Sequence, residues 1–217
     1  MKRQPWTIGD ELCRLSDNPD TSEALCALHL IDRVRGECHI EEIEPWHRGG
    51  AETYTYVFDV CQAKARHRCI LKAFVAPTLG TPPTQQAENW VARRYRLAGF
   101  GVPTPRLYVA GSGVLLEEFI ALDAIDHLKR KARCGKLDNR VGAELEDVCA
   151  RVYEAGFRPL SILPNLRIRR GKFVWTDFGV DLGDVILPRQ LTVSPREIIL
   201  RELETRVFPC IRPSRHC

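Results

Sequence analysis

The sequence predicts an α+β protein in two lobes, an antiparallel five-stranded sheet with one helix followed by a small, mainly helical part. Three observations carry this. Three stretches rich in β-branched and aromatic residues fall between 39 and 76. One amphipathic helical stretch, 85–97, separates them from two more strand-like stretches ending at 120. From 121 to 156 the pattern turns helical, and a short hairpin pattern follows it.

Each element has a local reason. Residues 1–36 read as a helical extension, with Asp20-Thr21-Ser22-Glu23 as cap residues ahead of Ala24, Leu25, Leu28 and Ile31 on one helix face. His39–Trp46 reads as a strand entering a glycine turn at Gly49-Gly50, and Thr53–Val60 as a second strand. A polar, basic turn is expected at 61–68, then a third strand, Cys69–Ala76. Thr84 caps the helix Gln85–Leu97, which stops at Gly99 and Gly101. Strands at 106–110 and 114–120 flank the turn Gly111-Ser112-Gly113. The helical region 121–156 breaks at Cys134-Gly135-Lys136, and strands 166–169 and 173–176 flank a turn at 170–172. A last helix is expected over Pro195–Arg206. The organisation is thus 1–36, a first lobe at 37–120 and a reduced second lobe at 121–217.

Composition narrows the function. The 217 residues suffice for one large domain or two small lobes. With 44% hydrophobic and 28% charged residues, disorder and a coiled coil are excluded. No apolar run approaches the roughly 20 residues of a membrane span. The first residues lack an apolar secretory core. Net charge is +4, too mild to imply nucleic-acid binding. Nine cysteines, an odd number with no C-x-x-C pair, read as reduced thiols in a cytoplasmic protein rather than a disulfide framework.

Four motifs carry chemistry. The first is His47-Arg48-Gly49-Gly50-Ala51-Glu52 between two strands, where the absence of Cβ atoms lets backbone N–H groups approach phosphate. By itself it equally describes a plain hairpin turn. The second is Lys72 in Ile70-Leu71-Lys72-Ala73, a lysine within an apolar strand that needs a partner for its charge. Glu88, 16 residues later on the helix, is the candidate partner; a snorkelling lysine and a solvated glutamate are the alternative. The third is Leu115-Leu116-Glu117-Glu118-Phe119-Ile120, also compatible with an ordinary core strand. The fourth is Asp177-Phe178-Gly179 at the end of a hairpin that Asn165, 12 residues earlier, precedes. An Asp and an Asn supply the hard oxygen ligands that Mg²⁺ prefers.

In this order, over about residues 40–185, the motifs resemble the protein-kinase-like fold, and within it the compact aminoglycoside-phosphotransferase-like branch. The resemblance implies that the chain binds ATP and Mg²⁺. Gly49 and Gly50 would lie over the phosphates, Lys72 would grip them while paired with Glu88, and the segment at Glu118 would meet adenine through its backbone. Asn165 and Asp177 would hold the metal, with Asp177 also catalytic.

One departure stands out. Kinases carry a catalytic aspartate in an H-x-D motif where this chain has Leu160, five residues before Asn165. Leucine neither accepts a proton nor orients a hydroxyl, and a general base contributes about 10²–10⁴-fold. Asp181 and Asp184 are candidates for a displaced base. The expectation is an ATP- and Mg²⁺-binding kinase-like protein, a weak or atypical phosphotransferase toward a protein or small hydroxyl acceptor. A pseudokinase acting as a regulatory module, a nucleotidyl transferase and a structural domain that binds no nucleotide stay open.

Overall fold

The computed structural model of the chain describes residues 39–45, 53–62, 65–74, 80–111, 113–179, 182 and 194–210. The expected extension at 1–36, the turn at Gly49-Gly50, and Asp181 and Asp184 lie outside the described residues. The chain divides into two compact units, one of residues 1–92 and 106–119, the other of residues 93–105 and 120–217.

The first unit is built on strands β1 (His39–Pro45), β2 (Tyr54–Gln62), β3 (Ala65–Ala73), β4 (Leu107–Gly111) and β5 (Val114–Glu118). They form one sheet in the order β1-β2-β3-β5-β4, every neighbouring pair antiparallel. The basic turn expected at 61–68 is instead mostly strand, because Cys61 pairs with Arg66 and Gln62 with Ala65. Ladder bonds use main-chain groups alone, so a run of basic residues marks polarity and not a break. At its other end β3 stops at Ala73, short of the expected Ala76, and the next N–H, that of Phe74, donates to Gly113 O at 2.8 Å. The core comprises Val57, Leu71, Ala73, Val114, Leu115 and Leu116, with Phe74 meeting Trp90 edge to face at 5.8 Å.

Helix α1 (Pro83–Gly99) begins on a proline, whose missing N–H is no loss in a first turn. Its buried positions, Gln86, Ala87, Trp90, Arg94 and Leu97, recur at three- and four-residue steps. Its end is a Schellman motif: Val102 N–H donates to Leu97 O at 3.1 Å and Gly101 N–H to Ala98 O at 2.9 Å, with Leu97 and Val102 both buried. Gly101 is required there. Its φ is +76°, and a Cβ would lie 2.8 Å from Arg151 Nη1, which itself donates to Gly101 O at 3.1 Å.

The second unit holds helices α2 (Ala124–Arg133), α3 (Asn139–Glu154) and α4 (Pro195–Glu202), and a sheet of β6 (Leu122–Asp123), β7 (Leu166–Arg169) and β8 (Lys172–Trp175). Each helix starts on a side-chain cap. Asp123 accepts from Ile125 N–H at 2.8 Å, Asp138 accepts from Val141 N–H at 3.0 Å, and Ser194 forms a capping box with Glu197. Asp123 also pairs with Arg167, tying α2 to β7. The helix expected over 195–206 is regular only to Glu202 and continues as a π-helical turn, Leu203–Val207. Leu128, Leu145, Val152, Ile162, Trp175 and Phe178 are fully buried in this unit's core. Among the described residues no helix is long and apolar enough to cross a membrane.

Candidate functional site

In the first unit Lys72, which is 8% exposed, meets Glu117 and Trp90. Its Nζ lies 2.9 Å from Glu117 Oε2 and 4.0 Å from the centre of the Trp90 ring. The register explains the ion pair. Lys72 lies opposite Leu115, so Glu117, two residues on, is its diagonal neighbour on the same face, within reach of a long side chain. Glu117 is 0% exposed, and its Oε1 accepts from Trp90 Nε1 at 3.4 Å. Oε2 has the ammonium beside it but makes no directional hydrogen bond.

The expected ion pair with Glu88 is not formed. Glu88 is exposed, and Trp90 is the α1 residue that meets Lys72. Two residues along a helix is a rotation of about 200°, so Glu88 and Trp90 cannot face the same way. Glu118 is engaged in the sheet: its N–H donates to Arg106 O at 2.8 Å and its Oε2 accepts from Arg106 N–H at 3.1 Å. The next N–H, on Phe119, donates to Arg68 O at 3.0 Å.

In the second unit Asn165 and Asp177 come to the same end of the β7–β8 hairpin. The ladder closes at Leu166–Trp175, and one residue further Asn165 O accepts from both Thr176 N–H, at 2.9 Å, and Thr176 Oγ1, at 3.3 Å. Asp177 is the next residue. Asn165 is buried, and its Nδ2 donates to Ser161 O at 3.0 Å. A carbonyl only accepts, so this bond fixes the amide and turns Oδ1 the other way. Asp177 Oδ1 accepts from Gly179 N–H at 2.9 Å, and its carbonyl accepts from Trp175 Nε1. Arg93 Nη1 donates to Phe178 O at 3.1 Å, further holding this backbone.

The loop before Asn165 is held by a residue that sequence reading missed. Glu202, at the end of α4, is buried and accepts from Leu163 N–H at 2.7 Å and from Ile162 N–H at 3.1 Å. A buried carboxylate bonded to two backbone donors fixes that loop strongly. Nothing in the local sequence ties position 202 to position 162, 40 residues away. Leu160 lies at the start of this loop and is 55% exposed, so it fills no apolar pocket. Cys149 is buried nearby; burial first, then the charges of Glu202 and Glu146, push its thiol up to about 12. It is therefore no nucleophile at neutral pH.

Among the described residues no group of three or more His, Cys, Asp or Glu side chains could hold a metal ion. Asn165 and Asp177 are a smaller donor set, of the kind Mg²⁺ uses when phosphate and water complete its shell. Their side-chain oxygens are of the hard type that this ion prefers.

No protein-family model matches the chain, and no curated protein matches it. A solved structure does: the Rio2 kinase from Chaetomium thermophilum, in a complex with ADP, Mg²⁺ and phosphoaspartate, at a TM-score of 0.53 and 14% sequence identity. The match covers 86% of this chain and 61% of that one. The fold is protein-kinase-like. At 14% identity the likeness is one of fold, and this chain spans about three fifths of the kinase's length.

Proposed function

We propose that this kinase-like chain binds ATP and Mg²⁺, and that its phosphoryl transfer, to a protein or a small hydroxyl acceptor, is impaired by the leucine at position 160. The observation that carries the reading is the placement of Asn165 and Asp177 at the same end of the β7–β8 hairpin. That the Rio2 kinase was solved with ADP and Mg²⁺ supports it.

In this reading Asn165 Oδ1 and the Asp177 carboxylate hold Mg²⁺, which would neutralise phosphate charge. Lys72 contributes a buried cation to the phosphates, and Gly49 and Gly50 are the candidates for backbone donors. Glu88 loses its expected role as the partner of Lys72. Glu118 contributes strand position, since its N–H and carboxylate are already used. Phosphoryl transfer relies mainly on positioning and charge stabilisation, so the chain retains those parts while lacking a proton acceptor at 160.

Thermal unfolding with and without Mg–ATP tests the reading. A ligand that binds only the native state stabilises it by about 2.7 kcal/mol at a hundred times its dissociation constant. The expected result is a rise in melting temperature that requires Mg²⁺. No rise at millimolar Mg–ATP would favour a structural domain that binds no nucleotide.

A further inference from the structure

Residues 129–140 of the second unit, from the last turns of α2 to the first turn of α3, hold six cations, Lys129, Arg130, Lys131, Arg133, Lys136 and Arg140, against one acid, Asp138. Asp138 caps α3 and accepts from Val141 N–H. Among the described residues none of the six cations forms an ion pair, and Arg130, Arg133, Lys136 and Arg140 are exposed. Cations complement the C-terminal end of a helix, which accounts for Arg130, Lys131 and Arg133. That does not account for Lys136, beyond the helix, or for Arg140 in the first turn of α3, where a cation opposes the dipole.

The β7–β8 hairpin extends this surface. Glu144, one turn after Arg140 on the same face of α3, lies 3.5 Å from Lys172 Nζ. The charge of Glu144 also reaches His127, as do those of Lys131 and Arg130, so α2, α3 and the hairpin meet around this carboxylate. At the hairpin tip exposed Arg170 holds φ +52° beside Gly171 at +78°. Asparagine or glycine suits that left-handed position better, so a long cation stands there against its backbone preference. The tip is the end of the hairpin away from Asn165 and Asp177.

We propose that this end of the second unit docks an acidic segment, a run of Asp and Glu on a partner protein. Charge complementarity carries the choice, since exposed cations with no carboxylate in the chain gain ion pairs on binding. The large exposed apolar residues among those described, Tyr95, Phe100, Leu160, Leu200 and Phe208, all lie outside α2, the hairpin and the turn before α3. The surface therefore offers a bilayer no apolar wedge and offers nucleic-acid bases no exposed ring to stack on. Asp138 and Glu144 break it into short basic stretches, which suit a short carboxylate run better than a continuous phosphate backbone.

The test is fluorescence anisotropy of the full chain with a labelled peptide of alternating Glu and Asp. Random-sequence oligonucleotides, single- and double-stranded, and phosphatidylserine vesicles compete against the unlabelled peptide. In about 0.1 M salt, charges more than about 10 Å away are largely screened. Arg133→Glu/Arg140→Glu reverses two exposed charges that have no ion pair to break. Two reversals about 6 Å from carboxylates, partly screened, weaken binding about tenfold. The peptide should bind wild type and bind this variant about tenfold or more weakly. Arg196→Glu/Arg201→Glu changes net charge equally on α4, where Arg196 pairs with Glu146, two residues from Glu144 and so on another face of α3. Its affinity should stay within about threefold of wild type. Folding is checked by circular dichroism; should the reversal not fold, Arg133→Gln/Arg140→Gln replaces it, with an expected loss of about threefold. No peptide binding by wild type, or equal losses in the patch and α4 variants, would overturn the proposal. Oligonucleotides or vesicles that displace the labelled peptide better than unlabelled peptide does would overturn it too.

Discussion

The Lys72 ammonium lies 2.9 Å from the Glu117 carboxylate across two antiparallel strands, with both side chains buried. Taking two charges out of water is costly, and each depends on the other once buried. Lys72→Met, which strands Glu117, should lower unfolding free energy by about 3–5 kcal/mol. Lys72→Met/Glu117→Leu should cost much less than the sum of the two single changes. Urea unfolding of the four proteins in this cycle checks the prediction; additive losses would mean that the pair is not coupled.

Glu202 offers a second stability test. Its carboxylate accepts the Leu163 and Ile162 N–H groups in a buried setting. Glu202→Ala leaves two buried donors unsatisfied and should cost about 2–4 kcal/mol. The same substitution at exposed Glu204, two residues further along, should stay within about 0.5 kcal/mol. Comparable effects at both positions would contradict the role given to Glu202.

How much of this was legible in the sequence differs between elements. The strand–helix–strand order, the hairpin before Asp177 and the stop at Gly101 follow from local chemistry: β-branched runs, cap residues, and a glycine where φ is positive. The partner of Lys72 does not. Leu115-Leu116-Glu117-Glu118 contains two adjacent glutamates, and which one faces Lys72 depends on strand register, a long-range property. Glu88 is likewise close to Lys72 in spacing, but helix phase, fixed by the burial of Ala87 and Trp90, turns it outward. Glu202 acts across 40 residues and has no local signal at all.

Leu160 is exposed, so Leu160→Asp should leave stability within about 0.5 kcal/mol of wild type. If transfer is limited by the missing base, ATP turnover should rise by about 10- to 100-fold, within the range a general base supplies. Robust wild-type turnover that this change does not improve would point to another base, with Asp181 and Asp184 the first to replace. Clear ATP binding with no turnover in either protein would favour a regulatory module without catalysis.

Cys134 and Cys149, both in the second unit, should differ in reactivity. Cys134 is exposed, whereas Cys149 is buried with its thiol pushed up to about 12. Brief alkylation at pH 8 followed by peptide mapping should label Cys134 and spare Cys149. The sign for stability follows from a folded value above the unfolded one: the contribution of Cys149 is intact below about pH 9 and is lost progressively toward pH 12. Cys149→Ser should flatten that alkaline loss, and equal alkaline sensitivity in both proteins would contradict it.

In the proposed function Asn165 and Asp177 form the Mg²⁺-dependent part of a nucleotide site. The most direct measurement of this is ATP affinity with and without Mg²⁺ for wild type and Asp177→Ala, on protein shown to be folded. Wild-type affinity should rise with Mg²⁺, and Asp177→Ala should remove this rise while affinity without metal is little changed. Equal affinity of both proteins for ATP in excess Mg²⁺ would contradict it.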